Sequence, residues 1–331
     1  MLAVLAATVV VLAMAVTAWY QLESHALGPA GEQVVVHVAP GESINAVVST
    51  LADDKVIGSA LAFKVSDVVH GTLSVSPGDY ALHENETFGQ VRAILGRAPN
   101  VYAITVEPGY VVREVAERVD ALPGHGSASF AQVAASGTVR SSFLPAGTDN
   151  VEGLLGSGNY LVVPGETDTS LLRTMVQRFE SQAAAAGVTA AAASALGMTP
   201  YQLITVASIV EKEGYIIKNM PDVARVIYNR LASGTALQMD STVLYSLGQD
   251  GGPVTPADEQ LPSPYNTYLN KGLPPTPICV PSPSALAAAA HPPAGGWLFF
   301  ELVDKDGTEA FADTYAEQLV NEQLAQSRGL G

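Results

Sequence analysis

Basic residues are scarce in this chain of 331 residues, which has 16 Lys and Arg against 32 Asp and Glu and a formal net charge of −16. A chain so poor in cations can neutralise few phosphates, so the composition argues against nucleic-acid binding. Cysteine is almost absent too, and the single Cys279 excludes a disulfide framework within the chain. The histidines never fall at the paired spacing of metal ligands, so we expect no metal and no other cofactor.

Charge of either sign is missing from residues 1–20, which are mostly apolar. About 20 apolar residues suffice to span a bilayer as a helix. Trp19 and Tyr20 close this run, where aromatic rings favour the membrane interface. A cleaved signal peptide is the alternative, but it needs a basic first region that is missing here. We predict an uncleaved transmembrane anchor over 1–22, followed by a polar linker over 23–33.

A short strand, two helices and a further strand are predicted over 34–98. Val34 to Val38 is β-branched, Ser43 is placed to cap a helix ending at Leu51, and a second apolar helix covers 60–68. The next strand is predicted from Leu73. Pro-Gly pairs at 40, 77 and 108 each follow a predicted strand, which indicates either related small units or ordinary turns.

A connecting α/β subdomain is predicted over 99–194, with a strand from Val101 and a helix after Pro108-Gly109. Ser127 to Asp149 shows little periodicity. Residues 169–185 predict a helix with Leu172, Met175, Val176 and Phe179 on one side, and Gly187 interrupts the Ala-rich run that follows. With the segments described next, the chain is predicted to be α+β.

Glu211 and Glu213 close a helix that begins at Thr199-Pro200 and ends at Gly214. Residues two apart on a helix do not face each other, so the two glutamates cannot form a close pair. Glu213 falls at the edge of the apolar face, in the last turn, where the helix dipole is negative. Both features raise the pKa of a carboxyl, as a proton donor to a glycosidic oxygen requires. A solvated glutamate in a charge run fits the same segment, and local physics alone favours that simpler interpretation.

Polar residues become denser after this helix. A second helix is predicted from Pro221 to Gly234, and a third starts where Asp240 or Ser241 can cap it. The loop 263–278 carries Tyr265, Asn266, Thr267 and Tyr268 in a row. Such a loop suits a polyhydroxylated ligand, although the loop taken alone favours a structural turn in which tyrosines satisfy buried backbone groups. An Ala-rich helix ending at His291-Pro292, a strand hairpin and a closing helix complete the chain.

Five segments occur in an order and spacing that resemble the YceG-like (MltG) endolytic murein transglycosylases. They are ASIVEKE (207–213), VARVIYNRL (223–231), LQMDSTVLYSLG (237–248), SPYNTYLNKGLPPTPI (263–278) and AAAHP (288–292). The resemblance is clear over 195–325, which it identifies as the catalytic domain. It also implies that 34–98 is a LysM-like module.

The resemblance implies a lyase that cleaves glycan strands between N-acetylmuramic acid and N-acetylglucosamine and leaves a 1,6-anhydro end. It implies Glu213 as the catalytic residue, an extracytoplasmic catalytic domain, and peptidoglycan strands and their synthases as partners. The saccharide groove would be lined by Gln238, Asp240, Tyr265, Asn266 and Thr267. Supporting roles would fall to Glu211, Asn229, Arg230 and Glu152, of which Asn229 and Arg230 would bridge helix to loop. A non-catalytic glycan-binding scaffold and a hydrolase are the alternatives.

Four segments depart from the family pattern without touching Glu213. LLGSGNY (154–160) follows Glu152-Gly153, PICVPSP (277–283) lacks an Asn and a Gly, and Glu309-Ala310 replaces a late histidine. GYIIKNMPD (214–222) lacks an acidic-basic pair. These departures bear on the subsites rather than on the proton donor.

Overall fold

The computed structural model describes residues 2–26, 28–126, 129–214 and 216–330, and its helices and short strands confirm the predicted α+β class. The chain divides into two compact units. The first comprises Met1–Ala103 with Leu161–Glu166, and the second comprises Ile104–Tyr160 with Thr167–Gly331. The finer division into five segments stays a prediction.

The first unit begins with helix α1 (Leu2–Ser24), which runs slightly past the predicted anchor. Its residues Val4–Ser24 are long and apolar enough to cross a membrane, and none of that stretch is buried. At about 1.5 Å per residue they would extend ~31 Å, close to the hydrocarbon thickness of a bilayer. Near its end, Trp19 and Tyr20 pack against the core of this unit.

The strand–helix–helix–strand order predicted for the first unit is confirmed. Its elements are β1 (Gln33–Val38), α2 (Ile44–Asp53), α3 (Ala60–His70), β2 (Gly78–His83) and α4 (Phe88–Leu95). β1 and β2 pair antiparallel, with Val38 opposite Gly78. The Ser43 side chain accepts the Ala46 N–H, as expected of the cap. The resemblance of this unit to a LysM module stays a prediction.

The strand predicted from Leu73 was wrong in its start, because residues 73–77 are irregular and β2 begins at Gly78. Pro77 has no N–H to give a strand ladder. Gly78 adopts a φ of +140°, which turns the chain immediately before the pairing starts. The Pro-Gly pair at 77 therefore precedes a strand, and only the pairs at 40 and 108 follow one.

The second unit is mainly helical, and its predicted helices and terminal hairpin are confirmed. Its elements, with the strands that lead into it, are β3 (Tyr102–Val106), α5 (Val112–Asp120), α6 (Ser129–Ala135), β4 (Gly158–Val162), α7 (Asp168–Ala185), α8 (Ala190–Ala195), α9 (Pro200–Glu213), α10 (Met220–Ser233), α11 (Asp240–Leu247), α12 (Pro283–Ala290), β5 (Phe299–Leu302), β6 (Glu309–Ala312) and α13 (Tyr315–Ser327). Helix α6 lies in the stretch 127–149 that showed little periodicity; residues 127 and 128 of that stretch are outside the described residues.

Helix α9 lies in the core of the second unit, against α8, α10, α11 and α12. Thr199 caps it in a reciprocal box with Gln202, and Pro200 occupies its first turn. Residues 203–210 are all buried, not only the predicted face, because neighbours surround the helix. Its buried hydroxyls are satisfied within the protein: Thr205 donates to the Tyr201 carbonyl and Ser208 to that of Thr205. Glu213 is therefore held at the end of a rigid, buried helix.

The segment LLGSGNY, which departs from the family pattern, is part of the core and of β4. Leu154 and Leu155 are fully buried. The Gly156 backbone lies so close to α7 that a Cβ there would be 2.7 Å from the Phe179 nitrogen. The guanidinium of Arg178 lies over the Tyr160 ring, 4.1 Å from its centroid. The altered residues therefore pack the strand against α7.

Candidate active site

A cavity of about 530 Å³ in the second unit contains the Glu213 carboxyl and is named here the Glu213 cleft. Its walls are the start of α5, the end of α9, the length of α11 and the loop 248–251, with Glu152 and Ile278 between them. Five of its lining residues are acidic, and two, Arg113 and Lys212, are basic. Lys212 forms an ion pair with Asp250 at the cleft.

The Glu213 carboxyl is fixed by one residue at the start of α11. Its Oε1 accepts the Ser241 hydroxyl at 2.6 Å and the Ser241 backbone N–H at 3.1 Å. Removal from solvent raises the pKa of Glu213, the two bonds from Ser241 oppose this, and nearby Asp240 adds to the rise. The net shift is upward, as the sequence predicted, although burial is its largest cause. A neutral carboxyl is therefore favoured more than in water.

The expected capping of α11 by Asp240 or Ser241 was wrong. Met239 occupies the cap position and its own side chain makes no capping hydrogen bond, so the Ser241 N–H at the helix start is bonded by Glu213 instead. Both polar side chains have other partners, because Asp240 accepts the Tyr268 hydroxyl at 2.5 Å and Ser241 donates to Glu213. Unpaired N–H groups at a helix start favour negative charge. The start of α11 therefore faces the carboxyl of Glu213.

Glu152 places a second buried carboxyl in the Glu213 cleft, although the sequence singled it out only by family resemblance. Its Oε1 accepts the Val112 N–H at 2.9 Å, and its Oε2 accepts the Tyr245 hydroxyl at 3.2 Å. Burial raises the pKa of Glu152 to about 7, against the lowering effect of these bonds. Glu152 therefore joins α5 to α11 and changes charge near neutral pH.

Position 153, next to Glu152, accepts only glycine. Its φ is +71°, and a Cβ would collide with the Pro277 ring and lie 2.9 Å from the Cys279 carbonyl oxygen. The departing segment PICVPSP is itself fixed through main-chain atoms. The Ile278 N–H donates to the Ser208 hydroxyl at 3.0 Å, and the Gly109 N–H donates to the Val280 carbonyl at 2.8 Å. These bonds do not depend on the side chains that differ from the family.

Glu211 lies outside the residues that line the Glu213 cleft and serves a different helix. Its Oε2 accepts the Ser282 N–H at 2.8 Å, at the start of α12. Burial raises the pKa of Glu211 as well. The prediction that Glu211 and Glu213 do not pair is confirmed, since each carboxyl binds the start of a separate helix.

Only Asp240 among the five predicted groove residues lines the Glu213 cleft. Gln238 is exposed elsewhere, with a φ of +49°. The Tyr265 ring packs on Tyr245, 4.8 Å between centroids, and its hydroxyl bonds Thr276. Tyr265 thus contacts a residue of the cleft without lining it.

Asn266 and Thr267 are fully buried, so the prediction that they line a groove is not supported by their positions. The Asn266 amide donates to the carbonyls of Glu259 and Leu261, both at 2.9 Å. Thr267 Oγ1 accepts the Met239 N–H at 3.0 Å and bonds the Thr242 hydroxyl. These bonds fix the loop 263–278 beneath α11.

Asn229 and Arg230 bridge helix α10 to neighbouring backbone. Asn229 donates to the carbonyls of Gly295 and Trp297, and Arg230 donates to those of Leu237 and Leu298. Such contacts match the structural role expected of them. Among the residues that the structure describes, no cluster of three or more His, Cys, Asp or Glu could hold a metal ion.

Sequence reasoning missed the part that Ser241 and Tyr245 play at the cleft. Both lie in the LQMDSTVLYSLG segment, four residues apart on one face of α11. Their partners Glu213 and Glu152 are distant in sequence. The helical spacing could have indicated a shared face, but not what that face meets.

Curated relatives and a solved structure are similar to most of this chain. An endolytic murein transglycosylase of Bacillus subtilis (strain 168) is 28% identical over 305 residues, covering 86% of this chain and 82% of that protein. An endolytic murein transglycosylase of Streptococcus pneumoniae (D39) is 24% identical, and the chain spans only 56% of its length. The 2.6 Å crystal structure of a yceG-like protein from Listeria monocytogenes matches with a TM-score of 0.57 and 27% identity, over 88% of this chain and 99% of that one.

A sequence model of the YceG-like family matches residues 36–324. That range begins within β1 and ends within α13, so it extends well beyond the segment 195–325 where the motifs were clear. The chain belongs to the YceG-like family.

Proposed function

We propose that this chain is a membrane-anchored endolytic transglycosylase that cleaves peptidoglycan glycan strands, with Glu213 as proton donor. The observation that carries the proposal is the half-buried Glu213 carboxyl, which lies in a cleft and is held by Ser241. A general acid must lie in a substrate-sized cleft and stay protonated near neutral pH. The names of the bacillar and pneumococcal relatives support the same reaction.

Glu213 would protonate the glycosidic oxygen between N-acetylmuramic acid and N-acetylglucosamine as that bond breaks. The 6-hydroxyl oxygen of the muramic acid closes on its own anomeric carbon, and its proton returns to the Glu213 carboxylate. No water is consumed, and the product carries a 1,6-anhydro end. The nucleophile is tethered to the substrate, so proximity is supplied by the sugar itself. One carboxyl therefore suffices.

Ser241 would stabilise the carboxylate that exists between the two proton transfers. Its hydroxyl and N–H both donate to Oε1, and hydrogen bonds to an ionised acceptor are about twice as strong as neutral ones. Burial favours the neutral acid before the first transfer. The site can therefore hold both protonation states of Glu213 during one reaction cycle.

A hydrolase is the second candidate function, because Glu152 adds another carboxyl to the same cleft. A retaining hydrolase needs a second carboxylate as nucleophile. Both oxygens of Glu152, however, already accept hydrogen bonds from Val112 and Tyr245. This arrangement suits a residue that fixes the cleft walls better than a nucleophile.

Helix α1 would anchor the chain in the membrane, with the catalytic unit outside the cytoplasm, close to newly made glycan and its synthases. The length and exposure of Val4–Ser24 support the anchor.

Mass spectrometry of glycan strands digested by the purified chain tests the reaction. The proposal predicts internal cleavage and muramic acid ends that are one water lighter than hydrated ends. Hydrated ends would instead establish a hydrolase, and the absence of cleavage would leave a glycan-binding scaffold.

A further inference from the structure

Helix α3 of the first unit buries one face in the core and leaves an apolar face exposed. Ala62, Phe63, Ser66 and Asp67 are buried. On the opposite side, four aliphatic residues form an exposed stripe, with exposed fractions of 65% for Leu61, 40% for Val65, 85% for Val68 and 70% for Val69. Their spacing of four, three and one residues places them within one narrow arc of the helix. Contiguous exposed apolar surface of this kind marks an interaction site.

The charges on α3 itself differ from the acidic character of the chain. The only acidic residue of α3, Asp67, faces the core and pairs with Arg92 at 2.6 Å. The basic Lys64 is half-exposed and lies next to Val68 on the helical wheel. A lysine beside an aliphatic stripe can extend its ammonium to a phosphate while its stem stays on apolar surface.

The end of α1 lies against the same part of the first unit. Trp19 and Tyr20 pack on the core cluster that contains Phe63 of α3, and the Tyr20 ring meets Phe88 edge-on at 6.3 Å. Gly58, just before α3, lies beside the Glu23 carboxylate. The α3 stripe therefore starts next to the point where the apolar helix α1 ends.

We propose that the α3 stripe docks onto the lipid bilayer beside the end of α1. The inference rests on the proposed function in one respect, which is that α1 spans the membrane. A glycan would need rings and amides, whereas the stripe is wholly aliphatic. A bilayer interface accepts aliphatic side chains on one face of a helix and attracts basic residues at its edge. Docking would hold the first unit against the membrane, in addition to the covalent link through α1.

Site-specific fluorescence of the full chain in vesicles tests the docking. An environment-sensitive fluorophore is attached to a Val68→Cys variant, and to Ser49→Cys at an exposed position of α2 as the matched control. The native Cys279 is buried and burial raises the pKa of its thiol well above normal, so it reacts slowly. Vesicles of phosphatidylcholine and phosphatidylglycerol carry a spin-labelled lipid as quencher.

Docking predicts blue-shifted emission at position 68 and quenching severalfold greater than at position 49. Equal quenching at the two positions, in chains that float with the vesicles, overturns the docking and leaves the anchor intact. A blue shift that depends on protein concentration and is not quenched by lipid identifies self-association, and it also overturns the docking. A chain that does not float contradicts both anchor and docking, whereas the catalytic part of the proposed function is judged separately by its products.

Discussion

Replacing Ser241 with alanine removes the 2.6 Å hydroxyl bond to Glu213 and keeps the backbone bond. A hydrogen bond to a charged group contributes about 1.5–3 kcal/mol, and one to a neutral group about 0.5–1.5 kcal/mol. The hydroxyl therefore favours the ionised form of Glu213 by roughly 1 kcal/mol or slightly more, which corresponds to about one pKa unit. Because this bond lowers the pKa, Ser241→Ala should raise it further.

The assay is the pH dependence of kcat/KM on soluble glycan oligomers. Its alkaline limb reports the pKa of the general acid in the free enzyme. Ser241→Ala should move that limb upward by about one pH unit. Ser246→Ala is the matched control, because Ser246 lies on the same helix and lines the same cleft but bonds Thr242 and Ser263. A limb that stays in place, moves downward, or moves equally in the control would refute the role given to Ser241.

Three further substitutions test the surroundings of the cleft. The pKa of Glu152 is raised from 4.5 to about 7 on folding, so its contribution to stability is full below pH 4.5 and lost as pH rises through 7. The Glu152→Gln variant has no carboxyl that titrates at this position. In urea denaturation, the difference between its free energy of unfolding and that of the native chain should therefore shift in favour of the variant by up to ~3 kcal/mol from pH 5 to pH 8. A residue with a Cβ loses ~1–2 kcal/mol by adopting the left-handed conformation. Gly153→Ala should lower the free energy of unfolding by more than this, because the new Cβ would also collide with Pro277. Thr267→Val should cost about 1–3 kcal/mol by leaving the Met239 N–H unpaired, with KM unchanged.

Each of these has a control or an outcome that contradicts it. For Glu152, a stability difference that does not change with pH would mean that its carboxyl titrates as in water. For Gly153, Gly147→Ala is the control, because it has a φ of +80° and open space around it, so only the backbone term applies. For Thr267, a raised KM with unchanged stability would restore the interpretation that it binds the saccharide.

Local signals predicted helix ends well, because the groups that set them are adjacent in the chain. Thr199-Pro200 and Gly214 bound α9 where expected, and Gly234 ends α10 in the left-handed conformation. The strand expected from Leu73 was wrong in its start, because Pro77 has no N–H to donate to a strand ladder and β2 begins at Gly78. There the pairing itself, which depends on β1, decides where β2 begins.

The direction in which a polar side chain points was not predictable from its type. Asn266 and Thr267 have the chemistry of a saccharide site, yet Asn266 bonds backbone carbonyls and Thr267 bonds the Met239 N–H and the Thr242 hydroxyl. Conversely, the bond from Ser241 to Glu213 joins residues 28 positions apart. No periodicity reports such a contact, so only its two ends could be found in the sequence. Glu213 was selected as the candidate proton donor by the family motif, and its position at a helix end and an apolar edge is consistent with that prediction.

The role of Glu213 as proton donor is tested directly by comparing Glu213→Gln with Glu211→Gln in the same product assay. Both substitutions keep an acceptor for the Ser241 or Ser282 N–H and so preserve the helix contacts. Of these two glutamates, Glu213 lines the cleft and Glu211 does not. We expect that the Glu213→Gln variant folds but forms no anhydro ends, while the Glu211→Gln variant still forms them. Anhydro ends produced by a folded Glu213→Gln variant would contradict that role.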